Sequence, residues 1–320
     1  MKKGSVIAAI VLIAVGIIVF GAAFVASGFS FSKLDTANYE TNTYTLSEKF
    51  EMIEIESDEA DITFKPSEGE KTRVDCVVRE KVKHAVSVEN DTLKITAVDK
   101  RAWYDHLASF SFKPQSVTVY LPSEHYTALT IATHTGDVTV PNLFSFGDTQ
   151  ITASTGDIAF DASLDGSLNI KTSTGSIRIH GVHAENIDLS VSTGKIEGEN
   201  IHCQETLSFQ VSTGKTELTD VLCKMLLSTG STGGVTLKNV TATDDFNIVR
   251  DTGDVRFESC EAGRITIKTS TGDVTGTLRS EKVFLTKTST GNIKVPDTAS
   301  GGRCEITTST GDISITINSR

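Results

Sequence analysis

A Thr-Gly pair that recurs at a nearly fixed interval is the feature of this sequence that most restricts how the chain can fold. Ten glycines, each preceded by a threonine, follow one another at spacings of 19 or 20 residues. They are Gly136, Gly156, Gly175, Gly194, Gly214, Gly233, Gly253, Gly272, Gly291 and Gly311. A repeat of this length is typical of stacked supersecondary units, in which each unit contacts only its neighbours.

The residues around each pair predict two short strands joined by a tight turn. Two positions after the glycine, nine of the ten repeats have a β-branched apolar residue, and Thr216 is the exception. Seven positions before it, nine of ten are apolar, and Thr149 is the exception. Polar residues alternate with these, which gives each strand one buried face. We expect the ten glycines to be structural turn residues with positive φ.

Among the β architectures with repeats of this kind, the β-solenoid fits best. A solenoid places one repeat on each coil and rises about 4.8 Å per coil. A propeller needs two repeats in each blade of about 40 residues, which predicts alternating repeat types that the sequence lacks. Leucine-rich repeats need an LxxLxL pattern, which is missing. We therefore predict an all-β fold, with a single-stranded, β-helix-like solenoid of ten repeats at residues 129–320.

Two segments depart from the regular repeat. Residues 226–234 read LLSTGSTGG, which we interpret as an insertion that bulges from the stack at the turn. Residues 49–128 are interpreted as degenerate repeats that cap the solenoid, because terminal units must cover an otherwise exposed end. Within the cap, residues 86–95 form two alternating runs around a polar turn, which predicts a hairpin.

The N-terminal segment predicts a membrane anchor. Lys2 and Lys3 precede residues 6–26, a mostly aliphatic run that as a helix would extend about 31 Å, enough to cross a bilayer. The positive-inside rule then places the N-terminus in the cytoplasm and the remainder outside. A cleaved signal peptide is the alternative, although its apolar core is typically only about 7–15 residues. We predict a stub and one transmembrane helix at 1–27, and a polar spacer at 28–48.

Charge and cysteine content argue against nucleic-acid binding and against a zinc site. The formal net charge of −11 argues against a nucleic-acid partner. The five cysteines form no CxxC pair and no Cys/His spacing suited to zinc. Cys203 and Cys223 each lie nine residues after a turn glycine. They are therefore predicted to lie side by side on adjacent coils, within reach of a disulfide.

Four aromatic residues in the cap form a candidate binding patch. They are Trp103, Tyr104, Phe110 and Phe112. Aromatic side chains dominate interface hot spots. Half-buried packing within the cap explains the same cluster, so both interpretations stay open.

Two other sets of residues are compatible with a metal site, but neither predicts one. An aspartate follows the turn glycine at Asp137, Asp157, Asp254, Asp273 and Asp312. Repeated Gly-Asp turns can bind calcium, but Lys195 and Lys215 interrupt the row, so turn formation is the better explanation. His180, His183 and His202 lie near successive turns, where solvated histidines are the ordinary case.

The sequence predicts no catalytic residue and no cofactor. It contains no GxSxG motif, no HExxH motif and no glycine-rich phosphate loop. Stacked coils can still bring distant carboxylates together. A carbohydrate-active β-helix enzyme therefore remains an alternative.

The order of segments resembles a known family. An apolar anchor is followed by IEIESDEADITF, DTLKITA, SVTVYLP and ALTIATHTGDVTV, and then by repeated STGD-type turns. This order resembles the bacterial family of unknown function labelled "putative adhesin", which includes LiaG-like envelope proteins. The resemblance implies attachment at the cell surface, and it brings no catalytic or ligand-binding residues.

We therefore predict a non-catalytic, single-pass cell-membrane protein whose C-terminal domain is extracellular. Its predicted partner is an envelope or surface polymer or protein, which it binds in the manner of an adhesin. A self-associating structural element of the envelope is the alternative from a different class.

Overall fold

The computed structural model describes residues 3–26, 28, 38–80, 82–99, 114–122 and 125–318. Within these residues the chain forms one helix, α1 (Lys3–Ala26), and one sheet of 23 strands. The strands are β1 (Tyr39–Leu46), β2 (Met52–Ser57), β3 (Ala60–Pro66), β4 (Thr72–Arg79), β5 (Val82–Glu89), β6 (Thr92–Asp99), β7 (Gln115–Leu121), β8 (His125–Thr135), β9 (Val138–Val140), β10 (Ser145–Thr155), β11 (Ile158–Phe160), β12 (Ser163–Leu164), β13 (Leu168–His180), β14 (His183–Ala184), β15 (Ile187–Cys203), β16 (Thr206–Thr232), β17 (Val235–Thr252), β18 (Val255–Thr271), β19 (Val274–Leu278), β20 (Lys282–Lys287), β21 (Ile293–Lys294), β22 (Gly302–Thr310) and β23 (Ile313–Ile317).

The N-terminal helix precedes the sheet. Its described side chains include Leu12 and Ile18, which are 72% and 69% exposed. Over the residues that the structure describes, no helix has both the length and the apolarity needed to cross a membrane.

The repeats form a parallel β-solenoid, which confirms the predicted fold of the outer part of the chain. Ile131 of β8 pairs with Ile151 of β10, which pairs with Ile170 of β13, which pairs with Leu189 of β15. Each pair is separated by one repeat, so one repeat corresponds to one coil. The alternating apolar residues point inward and are almost completely buried, as at Ile151 and Ile170 with 0% exposure. The core is therefore a continuous column of mainly aliphatic side chains, with buried phenylalanines among them, along the solenoid axis.

The order of the coils departs from the order of the chain at the C-terminal end. Strand β22 lies between β18 and β20, and β23 lies between β19 and β21. The last coil of the sequence is therefore inserted between the two coils that precede it. Strands β20 and β21 form the end of the stack.

The N-terminal cap combines parallel coils with antiparallel strands. The β2–β3 coil pairs in parallel with β6 and β7 on one side and with β8 and β9 on the other. Strands β1 and β4, β4 and β7, and β5 and β6 pair antiparallel. The hairpin predicted at 86–95 is confirmed, with Glu89 opposite Thr92 and positive φ at Asn90 and Asp91.

Two predictions from the sequence are wrong in detail. Tyr39–Leu46, assigned to the spacer, forms β1, which pairs with β4 and so belongs to the sheet. The tandem turns at 226–234 do not bulge, because Gly230 lies within β16 opposite Arg250, and Thr232 lies opposite Thr252. The register shifts instead between Cys223 and Met225.

Gly230 has a packing role that explains the tandem sequence. A Cβ atom at Gly230 would lie 1.6 Å from Nη1 of Arg250. The guanidinium of Arg250 is buried, and it donates to Oγ of Ser228 (2.7 Å) and to the carbonyls of Val211 and Thr229. The glycine thus provides the space for a charged side chain inside the solenoid, and Ser228 replaces the usual apolar residue to bind it.

Candidate binding surface

The ten turn glycines form a ridge in which each glycine lies against the backbone of the neighbouring coil. Their φ angles lie between +124° and +149°, a region that residues with a Cβ atom rarely adopt. A Cβ atom at any of them would lie 1.6–2.2 Å from a backbone carbonyl oxygen of the neighbouring coil. Two independent constraints therefore require glycine at these positions, and the ridge is a structural element.

The aspartates that follow the glycines connect the coils. The amide of Asp157 donates to Oδ1 of Asp137 (2.7 Å), and the amide of Ser176 donates to Oδ1 of Asp157 (2.7 Å). The amide of Asp273 donates to Oδ1 of Asp254, and the amide of Asp312 donates to Oδ1 of Asp273, which lies on the neighbouring coil of the stack. These carboxylates stabilise the backbone of the next turn, which accounts for their repetition without a bound ion.

The solenoid surface beyond the turn contains a groove that we call the lateral groove. It has a volume of about 570 Å³ and spans β11, β13, β15 and β16. Its lining residues are Ala159, Asp161, Arg178, Ile179, His180, Glu197, Gly198, Glu199, Glu217 and Thr219. Most of them lie three or five positions after a turn glycine, so equivalent outward positions of successive coils form the groove.

A lysine organises the carboxylates of the lateral groove. Nζ of Lys195 lies 2.5 Å from Oε1 of Glu197 on its own coil and 2.9 Å from Oε2 of Glu217 on the next. Hydrogen bonds to Glu197 and then to Glu217 raise the pKa of Lys195 above its ordinary value. The lysine therefore stays charged and fixes both carboxylates side by side.

Two further polar groups complete the groove. Nε2 of His180 lies 3.3 Å from Nδ2 of Asn200 at the corner of the coil. Arg178 lines the same groove. The lateral groove thus presents hydrogen-bond donors and acceptors, and both positively and negatively charged side chains, on a rigid sheet. Such a surface is suited to a polar, extended ligand, whereas pockets for drug-sized apolar ligands are lined mainly by hydrophobic and aromatic side chains.

The other candidate sites predicted from the sequence have different outcomes. Trp103, Tyr104, Phe110 and Phe112 lie outside the described residues. The rings of His183 and His202 contact each other edge to face with centroids 5.4 Å apart. In the part of the chain that the structure describes, no group of three His, Cys, Asp or Glu side chains is placed to hold a metal ion.

Cys203 and Cys223 are buried and both thiols are free. The residues just before them, His202 and Leu222, are paired across neighbouring coils, as the sequence predicts for the two cysteines. Burial raises the pKa of Cys203 to about 11 and that of Cys223 to about 12. Both thiols are therefore protonated and unreactive at neutral pH.

Sequence reasoning missed the lateral groove. The signal was present as charged residues three or five positions after three successive turn glycines, namely Arg178, Glu197, Glu199 and Glu217. The row of aspartates directly after the glycines is more regular and therefore drew attention away from these positions.

Comparisons with known proteins identify related sequences and folds. The family model of Toastrack DUF4097 matches residues 50–207 and 202–320. The chain is similar to the crystal structure of a protein named "putative adhesin" from Parabacteroides distasonis, with a TM-score of 0.52 and 13% identity over 88% of this chain and 98% of that one. A second, from Parabacteroides merdae, has a TM-score of 0.47 and 12% identity over 76% and 97%. No curated protein matches the sequence.

Proposed function

The chain belongs to the Toastrack DUF4097 family, and on this basis we propose that it is a membrane-anchored, non-catalytic surface protein that binds in the manner of an adhesin. The family resemblance drawn from the sequence is confirmed by that match. The observation that carries the proposal is the lateral groove, in which equivalent positions of successive coils present charged side chains outward. The name "putative adhesin" of the similar structure from Parabacteroides distasonis agrees with a surface role.

The proposed anchor is supported by the N-terminal sequence. Lys2 and Lys3 precede the aliphatic run at 6–26, and the positive-inside rule orients that run. The exposure of Leu12 and Ile18 on α1 adds support, since contiguous exposed apolar surface is typical of membrane or protein contacts. Protease added to intact spheroplasts should then remove the solenoid. Complete protection of the chain would contradict the orientation.

The proposed ligand is a polar, extended component of the envelope or of another surface. The lateral groove crosses successive coils, so an extended polymer in it would contact several of them. Each coil would contribute weak polar contacts, and their sum at fixed spacing would give the affinity. No chemical step is required of the groove residues.

The proposal is tested with charge changes in the lateral groove. Full-length protein, Arg178→Glu and Glu199→Lys are compared for binding to intact envelopes. We expect either change to reduce binding about tenfold or more, since like charges across an interface are costly. Lys268→Glu, an exposed change outside the groove, is the matched control. Groove variants that bind as well as the unchanged protein would contradict the proposal, as would release of a cleaved or modified polymer.

A further inference from the structure

The C-terminal end of the solenoid is an open sheet edge. In the described part of the chain, β20 pairs with β22 on one side and with no strand on the other. At the opposite end of the solenoid, antiparallel strands β1, β4 and β5 follow the parallel coils. An open edge presents unpaired backbone N–H and C=O groups that can pair with another chain.

The edge strand is apolar on its outer face. Val283 and Leu285 are 38% and 47% exposed. In the coil next to it, the paired positions are Arg303 and Glu305. Arginine and glutamate there keep the neighbouring face polar, so the apolar pair is confined to the end of the stack. Phe284, on the inner face, is only partly buried and packs on the core at its end.

The charges of the edge strand are complementary to one another. Glu281, directly before β20, and Lys287, its last residue, flank the apolar residues and are both exposed. The carboxylate of Glu281 accepts a hydrogen bond from Oγ of Ser300 within its own copy. Lys282 does not contribute to this edge, because it is buried and its ammonium donates to Glu261 and to Oγ of Ser280. The strand thus reads acidic, apolar and basic on its exposed positions.

From this pattern we infer that two copies of the protein associate through β20, related by a two-fold axis at Phe284. Antiparallel pairing centred on Phe284 places Glu281 opposite Lys287 of the other copy, twice by symmetry. It also places Val283 opposite Leu285. Odd-numbered residues then meet on the outer face and even-numbered residues on the inner face, so the pleats of the two strands match.

This arrangement selects a closed dimer of this chain over other occupants. An isologous contact uses the same strand of both copies, so β20 is no longer free to bind a third copy. Edge strands commonly avoid pairing by means of charged side chains, but here the two exposed charges that flank the apolar pair, Glu281 and Lys287, each find an opposite charge in the second copy. The inference is independent of the lateral groove, because β20 lies outside it.

The first test exchanges the two charges. Sedimentation of the full-length chain in detergent is measured against concentration for Glu281→Lys, Lys287→Glu and the double variant. We expect a dimer for the unchanged protein, a dissociation constant raised about tenfold or more in each single variant, and recovery in the double variant. Lys268→Glu is the matched control, because Lys268 and Lys287 lie on opposite sides of Thr307 in equivalent positions.

The second test fixes the register. Val283→Cys protein is mixed with Leu285→Cys protein under mild oxidation, and the five native cysteines are buried. We expect the mixed pair to cross-link more efficiently than either variant alone. A monomer at every concentration, open-ended oligomers, dimerisation unaffected by the single charge changes, or equal cross-linking in all mixtures would each overturn the inference.

Discussion

Replacing Gly194 with alanine should destabilise the solenoid more than any conformational preference of glycine explains. Its φ is +149°, and a Cβ atom would lie 1.8 Å from the carbonyl oxygen of Gly175. Ordinary contacts begin near 3.4 Å, so the two coils must separate by about 1.6 Å. The separation affects the backbone pairs at Thr193 and Gly194.

The magnitude follows from these two effects. Positive φ in a residue with a Cβ costs about 1–2 kcal/mol. The loss of two backbone hydrogen bonds between the coils costs about 1 kcal/mol each. The expected loss is therefore about 3–4 kcal/mol in the free energy of unfolding. For a chain of this size that corresponds to a fall in Tm of about 6–16 °C.

Three further glycines separate the two causes. A Cβ at Gly147 would meet the carbonyl of Thr127 at 2.2 Å without positive φ. Gly181 has a φ of +67° and open space around it, and Gly69 has open space and no positive φ. We expect Gly147→Ala to cost about 2 kcal/mol, Gly181→Ala about 1–2 kcal/mol, and Gly69→Ala to be neutral or slightly stabilising.

The assay is thermal and urea unfolding of the four full-length variants beside the unchanged protein. The reasoning predicts that the loss at Gly194 approaches the sum of the losses at Gly147 and Gly181. A Gly194→Ala variant within about 1 kcal/mol of the unchanged protein would refute the close approach of the coils, since backbone strain alone costs about that much.

Three other perturbations follow from the structure. His84 is 3% exposed with neither ring nitrogen hydrogen-bonded to a described residue, and burial lowers its pKa below 6.5 despite the opposing charge of Asp58. The unfolded chain therefore takes up the proton at a higher pH than the folded chain, so stability falls as pH drops below about 6.5. Between pH 7.5 and pH 5, the Tm of His84→Leu should therefore fall less than that of the unchanged protein. Equal falls in Tm for the two proteins would contradict this. Gly230→Ala should cost about 3 kcal/mol in urea unfolding by displacing the buried guanidinium of Arg250, and a neutral result would show that the guanidinium relocates freely. Asp273→Ala should speed hydrogen exchange of the amide that its carboxylate accepts from the next coil, and an unchanged rate would indicate that this bond is not formed in solution.

Local patterns in the sequence were sufficient for much of the solenoid. The spacing of the Thr-Gly pairs and the alternation around them predict one repeat per coil, because glycine at positive φ and period-two burial depend only on neighbouring residues. The hairpin at 86–95 was predictable for the same reason. Asn90 and Asp91, which adopt positive φ there, are among the residues that tolerate it best.

Packing between distant residues decided the rest. Residues 288–291 and 308–311 both read TSTG, so either coil fits beside the coil of Gly272 as far as the local pattern shows. Gly230 resembled a turn glycine until its place opposite Arg250 was known. The lateral groove brings together side chains about 20 residues apart, such as Glu197 and Glu217, which share one lysine. Sequence determines what each coil can be, since turns and alternation are local. Which coils become neighbours depends on the fit of side chains across the stack, and that is a property of the tertiary structure.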